Sequence, residues 1–209
     1  MSLTFPTVAL FNQYAMRTNK FALTPRQSLS RTSAGDLIAV DFGRQVWMAE
    51  FTSLPQTHEN CVEIESYLNS LGGATELILV RDTRREYPVT YPDGVFNDTG
   101  VIASLGGDGK SLSLSGLDAN FMLKRGDYFH YLFNSRRYLH QVVEAITASG
   151  AGVTGTFEIT PHYIAGVTVS TAVVFKKPNM QLRLTPGSVS FSDTGRLIGT
   201  VSFAGVQRL

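Results

Sequence analysis

Apolar and polar positions alternate most cleanly along residues 44–53, RQVWMAEFTS, where Trp47, Ala49 and Phe51 fall on one side and Met48, Glu50 and Thr52 on the other. A period of two predicts a strand with one buried face. The spacing then lengthens: Cys61, Ile64, Leu68 and Leu71 recur as the stripe of an amphipathic helix over about residues 58–71. Thr57 supplies an N-cap oxygen, Glu59 and Glu63 suit the positive end of the helix dipole, and Gly72-Gly73 marks the stop. Residues 76–82, ELILVRD, are apolar on both faces, which predicts a central strand. Upstream, residues 36–43, DLIAVDFG, are a compact β run closed by Gly43. Their adjacency to residues 44–53 predicts a hairpin between the two. Residues 1–34 break short apolar bursts with Pro6, Pro25 and polar side chains, the pattern of an arm or an edge strand.

Residues 83–100 mix charge with Pro88, Pro92, Gly94 and Gly100 and read as a linker. From Val101 onward, turn signals at 106–110, 115–116, 125–127, 133–137 and 149–152 cut the chain into strand-length runs, the spacing of a small sandwich or barrel. Within YLHQVVEAIT, Leu139, Val142, Val143 and Ile146 also fit a helical period. Residues 139–147 therefore stand open between strand and helix, with β-branched content and flanking turns on the side of strand. Beyond Lys176-Lys177-Pro178 the runs NMQLRL, SVSFSD and TGRLIGTVSF alternate again. Strands that short cannot bury themselves and must complete an existing sheet. The expected fold is mainly β with one helix. A barrel or sandwich domain of residues 1–90 plus 178–209 carries the helix, and a second small β-barrel domain, residues 91–177, is inserted.

Composition narrows the function classes. Hydrophobic residues make up 43% and charged residues 17%, and 18 basic side chains balance 17 acidic ones. No global field draws in nucleic acid or an anionic membrane, and no run approaches the roughly 20 apolar residues of a membrane span. The N-terminal stretch lacks the charged and apolar regions of a signal peptide. Cys61 has no second cysteine to pair with, so a free buried thiol in a reducing cytoplasm is expected.

Candidate chemistry is sparse. Gly106-Gly107-Asp108-Gly109-Lys110-Ser111 ends like a phosphate-binding loop but has Ser104 where that loop needs glycine, and strand where it needs helix. It reads as a hairpin turn, and so does Arg125-Gly126-Asp127. His58, His130, His140 and His162 show no metal-ligand spacing, no serine has a nucleophile-elbow setting, and Glu144 with Glu158 reads as a solvent-facing pair. Catalytic, cofactor and metal residues are not expected. Two basic clusters stand out: Arg81 with Arg84 and Arg85, and Arg136 with Arg137, the second close to Tyr128, Phe129, Tyr131, Phe133 and Tyr138. Base stacking on such aromatics, as in an oligonucleotide-binding barrel, is one reading. Aromatics that fill the barrel while arginines make subunit contacts or solvated turns is the other, and the neutral total charge favours it.

Taken in order, several phrases form a pattern: the tryptophan strand and helix from Trp47 to Leu-Gly-Gly, then LKRGDYF, RRYLHQVVEAITASGAGVTGTFEITP, KKPNMQLRL and SVSFSDTGRLIGTVSF. Over about residues 36–209 this order resembles the distal tail (tail hub) proteins of long-tailed bacteriophages and gene transfer agents. Where the family has an arginine-containing turn after Pro161, this chain has His162-Tyr163-Ile164. The resemblance implies a ring-forming β-barrel domain with an inserted galectin- or OB-like domain, assembled as a homohexamer at the distal end of the tail tube. Such a ring joins the tube protein to tail-tip hub or receptor-binding proteins in the virion, after assembly in the host cytoplasm. It is a structural role without enzymatic activity, a cofactor or specific nucleic-acid binding. Arg84, Arg85, Tyr128, Tyr131, Arg136 and Arg137 are the candidate subunit or ligand contacts. The alternative is a module that binds a host-surface carbohydrate or a single strand through Tyr128 and Tyr131.

Overall fold

The computed structural model of the chain describes residues 5–33, 35–195 and 197–208. Residues 1–4 and Ala34 of the expected arm, and Arg196 and Leu209 of the closing segment, lie outside the described residues. The first stretch contains α1 (Ala9–Gln13), β1 (Met16–Thr24), β2 (Gln27–Arg31), β3 (Leu37–Asp41), β4 (Val46–Ser53), β5 (Gln56–Thr57), α2 (His58–Ser70) and β6 (Ile78–Val80). The middle contains β7 (Val101–Leu105), β8 (Ser111–Ser115), β9 (Met122–Leu123), β10 (Tyr128–Phe133), β11 (Arg136–Val142), β12 (Ile146–Thr147), β13 (Phe157–Thr160) and β14 (Val173–Val174). The chain closes with β15 (Met180–Leu184), β16 (Ser190–Gly195) and β17 (Ile198–Gln207). The fold is mostly β, and its two helices account for a small share.

One sheet of seven strands runs β1-β4-β17-β15-β6, with β16 and β5 also paired to β17. The late strands β17 and β15 thus sit between the early strands β4 and β6 and hold the sheet together. Trp47, Ala49 and Phe51 from β4 face the same core as Cys61, Ile64, Leu68 and Leu71 from α2. Each fully buried aliphatic or aromatic side chain there contributes roughly 1.5–3 kcal/mol of transfer free energy. Thr57 caps the helix by accepting from Asn60 N at 3.4 Å, and Leu71 ends it in αR geometry before Gly72 turns to φ +60°.

Three expectations need correction in this sheet. First, residues 36–43 do not pair with residues 44–53: β3 pairs with β2, and β4 pairs with β1 from Thr24↔Val46 to Met16↔Ser53. The β2–β3 hairpin is nested inside the β1–β4 pair. Alternation announces a buried face but not the partner, and β1 hides its own alternation behind a bulge between Thr18 and Lys20. Second, β6 lies at the edge, not the centre. Its outer edge is met by Thr7, which bridges Ile78 and accepts from Leu79 N at 3.1 Å, while Ile78 and Val80 enter the core. Third, a helix of 5 residues, α1, precedes β1. It is too short to display a period and is held by the burial of Leu10 and Phe11.

The other large sheet has six strands in the order β14-β10-β11-β13-β8-β7. An antiparallel bridge between Val101 and Ala172 brings its two end strands together, so the sheet is a nearly closed barrel. Residues 139–142 belong to strand β11, and residues 143–145 bend away before β12. The barrel core contains Phe121, Phe129, Tyr131, Phe157 and Phe175. Side chains on the opposite face of β10 and β11 point elsewhere: Tyr128 and Leu139 join the core of the first sheet.

Candidate functional site

The aromatic side chains of β10 and β11 are used internally. Tyr131 is fully buried and accepts from Ile164 N at 3.1 Å, and Tyr138 stacks on it with ring centroids 5.6 Å apart. Tyr128 is buried against Phe21 and Trp47, each 5.8 Å away centroid to centroid. Burial, followed by the nearby Asp82 carboxylate, pushes the Tyr128 phenol up to about 12. Neither Tyr128 nor Tyr131 presents a ring on which a base or sugar can stack.

The arginine clusters are also largely occupied within the chain. Arg81 is buried and donates to Glu86 at 2.6 Å, to Asn12 Oδ1 at 3.2 Å and to the Phe11 carbonyl at 3.0 Å, tying α1 to the connector. Arg84 holds Asp82 in a fork, with Nη2 to Oδ2 at 2.8 Å. Arg85 donates to Asp127 at 3.2 Å. That carboxylate has no exposed surface and also accepts from Lys124 N at 2.7 Å and Val89 N at 3.0 Å. The Arg125-Gly126-Asp127 motif is thus a turn, with Gly126 at φ +88°, whose aspartate staples residues 83–100 to the barrel. Arg137 donates to Asn179 Oδ1 at 2.7 Å, and Arg136 is half-buried at the end of the β10–β11 hairpin.

The junction between the two sheets follows from these contacts. Trp47 Nε1 donates to the Leu139 carbonyl at 3.0 Å, and Gln181 donates to the Ser135 carbonyl at 3.1 Å. Arg44 lies over the Tyr138 ring at 5.2 Å and donates to the His162 carbonyl. Burial lowers its pKa from the ordinary arginine value. A cavity of about 480 Å³ beside it is lined by Asp41, Gly43, Arg44, Pro161, His162 and Ile164.

The histidines are placed for packing. His130 and His140 are not opposite each other: His140 pairs with Phe129, and His130 with Leu139. His140 is fully buried, stacks on Tyr131 at 4.9 Å and donates from Nδ1 to the Pro161 carbonyl at 2.7 Å. Burial and then the Arg44 charge depress its pKa to about 3. His130 Nδ1 accepts from Asn179 N at 3.2 Å, its Nε2 lies 3.3 Å from Arg137 Nη1, and burial and then the Arg137 charge depress its pKa to about 3. Both rings are neutral near pH 7. His58 opens α2 and faces Asp193 at 3.4 Å. Among the described residues, no group of three or more His, Cys, Asp or Glu side chains is placed to hold a metal ion, and no helix is long and apolar enough to cross a membrane.

The β2–β3 hairpin is left uncovered by the described residues. All of Gln27–Arg31 and Leu37–Asp41 are exposed, including Leu29 at 67% and Leu37 at 64%, and Phe42 just beyond is at 65%. Register puts Leu29 opposite Ala39 and beside Leu37 on one face, with Ile38 and Val40 on the other. A hairpin with apolar side chains on both faces and no cover is the signature of a contact surface.

Compared with models of known protein families and with curated proteins, the chain matches none.

Proposed function

We propose that this chain is a non-enzymatic structural protein of a long-tailed phage virion. Copies of it assemble in the host cytoplasm into a ring, a homohexamer in the resembled family, at the distal end of the tail tube, where it joins the tube protein to tail-tip or receptor-binding proteins. The observation that carries the assembly part of this reading is the uncovered hairpin. An isolated two-stranded hairpin is at best marginally stable in water, and Leu29, Leu37, Ile38, Val40 and Phe42 all stand in solvent. Covering any one of them offers roughly 1.5–3 kcal/mol, so a neighbour that clasps the hairpin stabilises both itself and the arm. The phage tail as the setting comes from the order of motifs between Trp47 and the last strand.

Multi-angle light scattering of the purified chain, alone and with tail-tube protein, tests the assembly. The expected result is a mass several times the 22.9 kDa chain, with annuli in negative-stain micrographs. Immunogold labelling of intact particles tests the setting, and the label is expected where the tube meets the tip. A chain that stays monomeric under both conditions, or a label on the capsid or absent from particles, overturns the proposal.

A further inference from the structure

We infer that the hairpin of one copy docks on the opposite end of the same sheet in the next copy, against the β16–β17 tip and the start of α2. This rests on the assembly reading and names the two surfaces that meet. The register fixes their placement. The hairpin leaves β1 and β4 at the Thr24↔Val46 end, and Met16↔Ser53 is the other end. β17 pairs with β4 from Val206↔Met48 to Ser202↔Thr52. Its first residues therefore run past Ser53, where Ile198 pairs with Thr57. The 8 residues of β4 set the two ends roughly 25 Å apart at about 3.4 Å per residue.

That far end carries a second set of uncovered apolar side chains of the first sheet, with Phe191 on the face of its partner Val201 and Ile198 on the other face. Leu197 is 74% exposed, Val62 on α2 62%, Leu54 45%, Ile198 42% and Phe191 41%. Its shape is fixed by its own chain. The Phe191 ring lies against the His58 ring with centroids 5.6 Å apart, and His58 is held by Asp193. Gly199 has no side chain because a Cβ there would fall 2.3 Å from the Phe191 ring. The aromatic ring is seated on backbone with one face left open.

Two considerations select a second copy as the occupant. Size is the first: at on the order of 100 Å² of exposed surface per large side chain, each end offers about 500 Å² over its two faces, and with its polar surroundings approaches the roughly 800 Å² per partner of a standard interface. Symmetry is the second. A hairpin-to-hairpin contact is isologous and leaves the far end bare, whereas hairpin-to-far-end contact is heterologous, covers both ends with one interface and closes into a ring when its rotation divides the circle.

Complementation between two defective variants tests this. Ile38→Asp/Val40→Asp spoils the hairpin and keeps the far end; Phe191→Asp/Leu197→Asp does the reverse. Each alone is expected at monomer mass, with Trp47 fluorescence and melting temperature as the unaltered chain. Their equimolar mixture is expected to form a two-chain species, since one intact hairpin meets one intact far end. A mixture that stays monomeric, or either variant assembling like the unaltered chain, overturns the pairing while the unaltered chain's assembly leaves the ring reading standing. If the unaltered chain itself is monomeric alone and with tube protein, both fail. A second readout is independent of these aspartates. Val40→Cys and Leu197→Cys chains, each also Cys61→Ser, are mixed and treated with a short bismaleimide. A two-chain band much stronger in the mixture than in either sample alone is expected, and equal bands in all three overturn the pairing.

Discussion

The barrel and the first sheet use apolar side chains in opposite ways. In the barrel, the bridge between Val101 and Ala172 closes the sheet, and Phe121, Phe129, Tyr131, Phe157 and Phe175 all disappear inside. The first sheet stays open, and although Trp47, Phe51, Ile64 and Phe203 are buried, Leu37, Phe42 and Leu197 remain in water. Closure removes strand edges and spends apolar surface within the chain. An open sheet keeps surface in reserve for another molecule. The part threaded from both ends of the chain is the one we propose meets copies.

The largest predicted effect comes from ending the chain after Lys177. This removes β15, β16 and β17, and with them the strand that lies between β4 and β15. β6 loses its strand partner, β4 keeps only β1, and α2 loses the β17 strand it packs on, so the first sheet is expected to unfold completely. The barrel strands all lie between Val101 and Val174 and are expected to remain. Trp47 is the chain's single tryptophan, so its emission reports the first sheet directly, while amide exchange reports the barrel. Protected amides in β1 and β4 of the shortened chain would break the comparison.

An intermediate effect separates the parts by pH. His130 and His140 lie on barrel strands and are held near pKa 3, against about 6.5 unfolded. A depressed folded pKa means that the unfolded chain binds more protons below pH 6.5, so stability is complete above that value and falls as pH drops toward 3. Each ring removes up to about 1.4 kcal/mol per pH unit in that window, or roughly 2 kcal/mol for the two between pH 6.5 and 5.5. Denaturant melts at the two pH values, read from barrel amides, are expected to show the loss, and His140→Gln is expected to halve it. A flat profile through pH 5 would contradict the buried, neutral state of both rings.

How much of this was readable in the sequence depended on whether the deciding interaction was local. The faces of β4 and α2 were legible because Trp47, Ala49, Phe51, Cys61, Ile64 and Leu68 each report burial by period alone, and all are buried. The turn at Arg125-Gly126-Asp127 was legible because glycine permits its positive φ. The partner of β4 was not: β1 slips its period at the Thr18/Lys20 bulge, and the nested hairpin sits where β4's nearest neighbour in sequence should have paired. Several of the candidate contacts are taken up within the chain for a related reason. Arg84 and Arg85 looked free, but Asp82 and Asp127 take them up, and in the second case the two residues are far apart in sequence. Tyr128 and Tyr131 were equally compatible with a binding face and a core; Tyr131 is inside the barrel and Tyr128, on the other face of β10, is in the core of the first sheet.

The smallest predicted effect on stability is the most informative about function. Leu29→Ser in the hairpin removes a side chain that is already 67% exposed, and substitutions at such positions usually shift stability by no more than about 0.5 kcal/mol. The melting temperature of the separated chain should be unchanged, and so should Trp47 emission. Assembly should weaken, because the same leucine is covered only when another copy clasps the hairpin. In the barrel the order reverses: a leucine such as Leu112, fully buried, costs about 2–5 kcal/mol when cut to alanine, with no separate effect on association. If Leu29→Ser lowers the melting temperature as a core substitution does, the hairpin folds back onto its own chain in solution, and the reserve of apolar surface assigned to the first sheet does not exist.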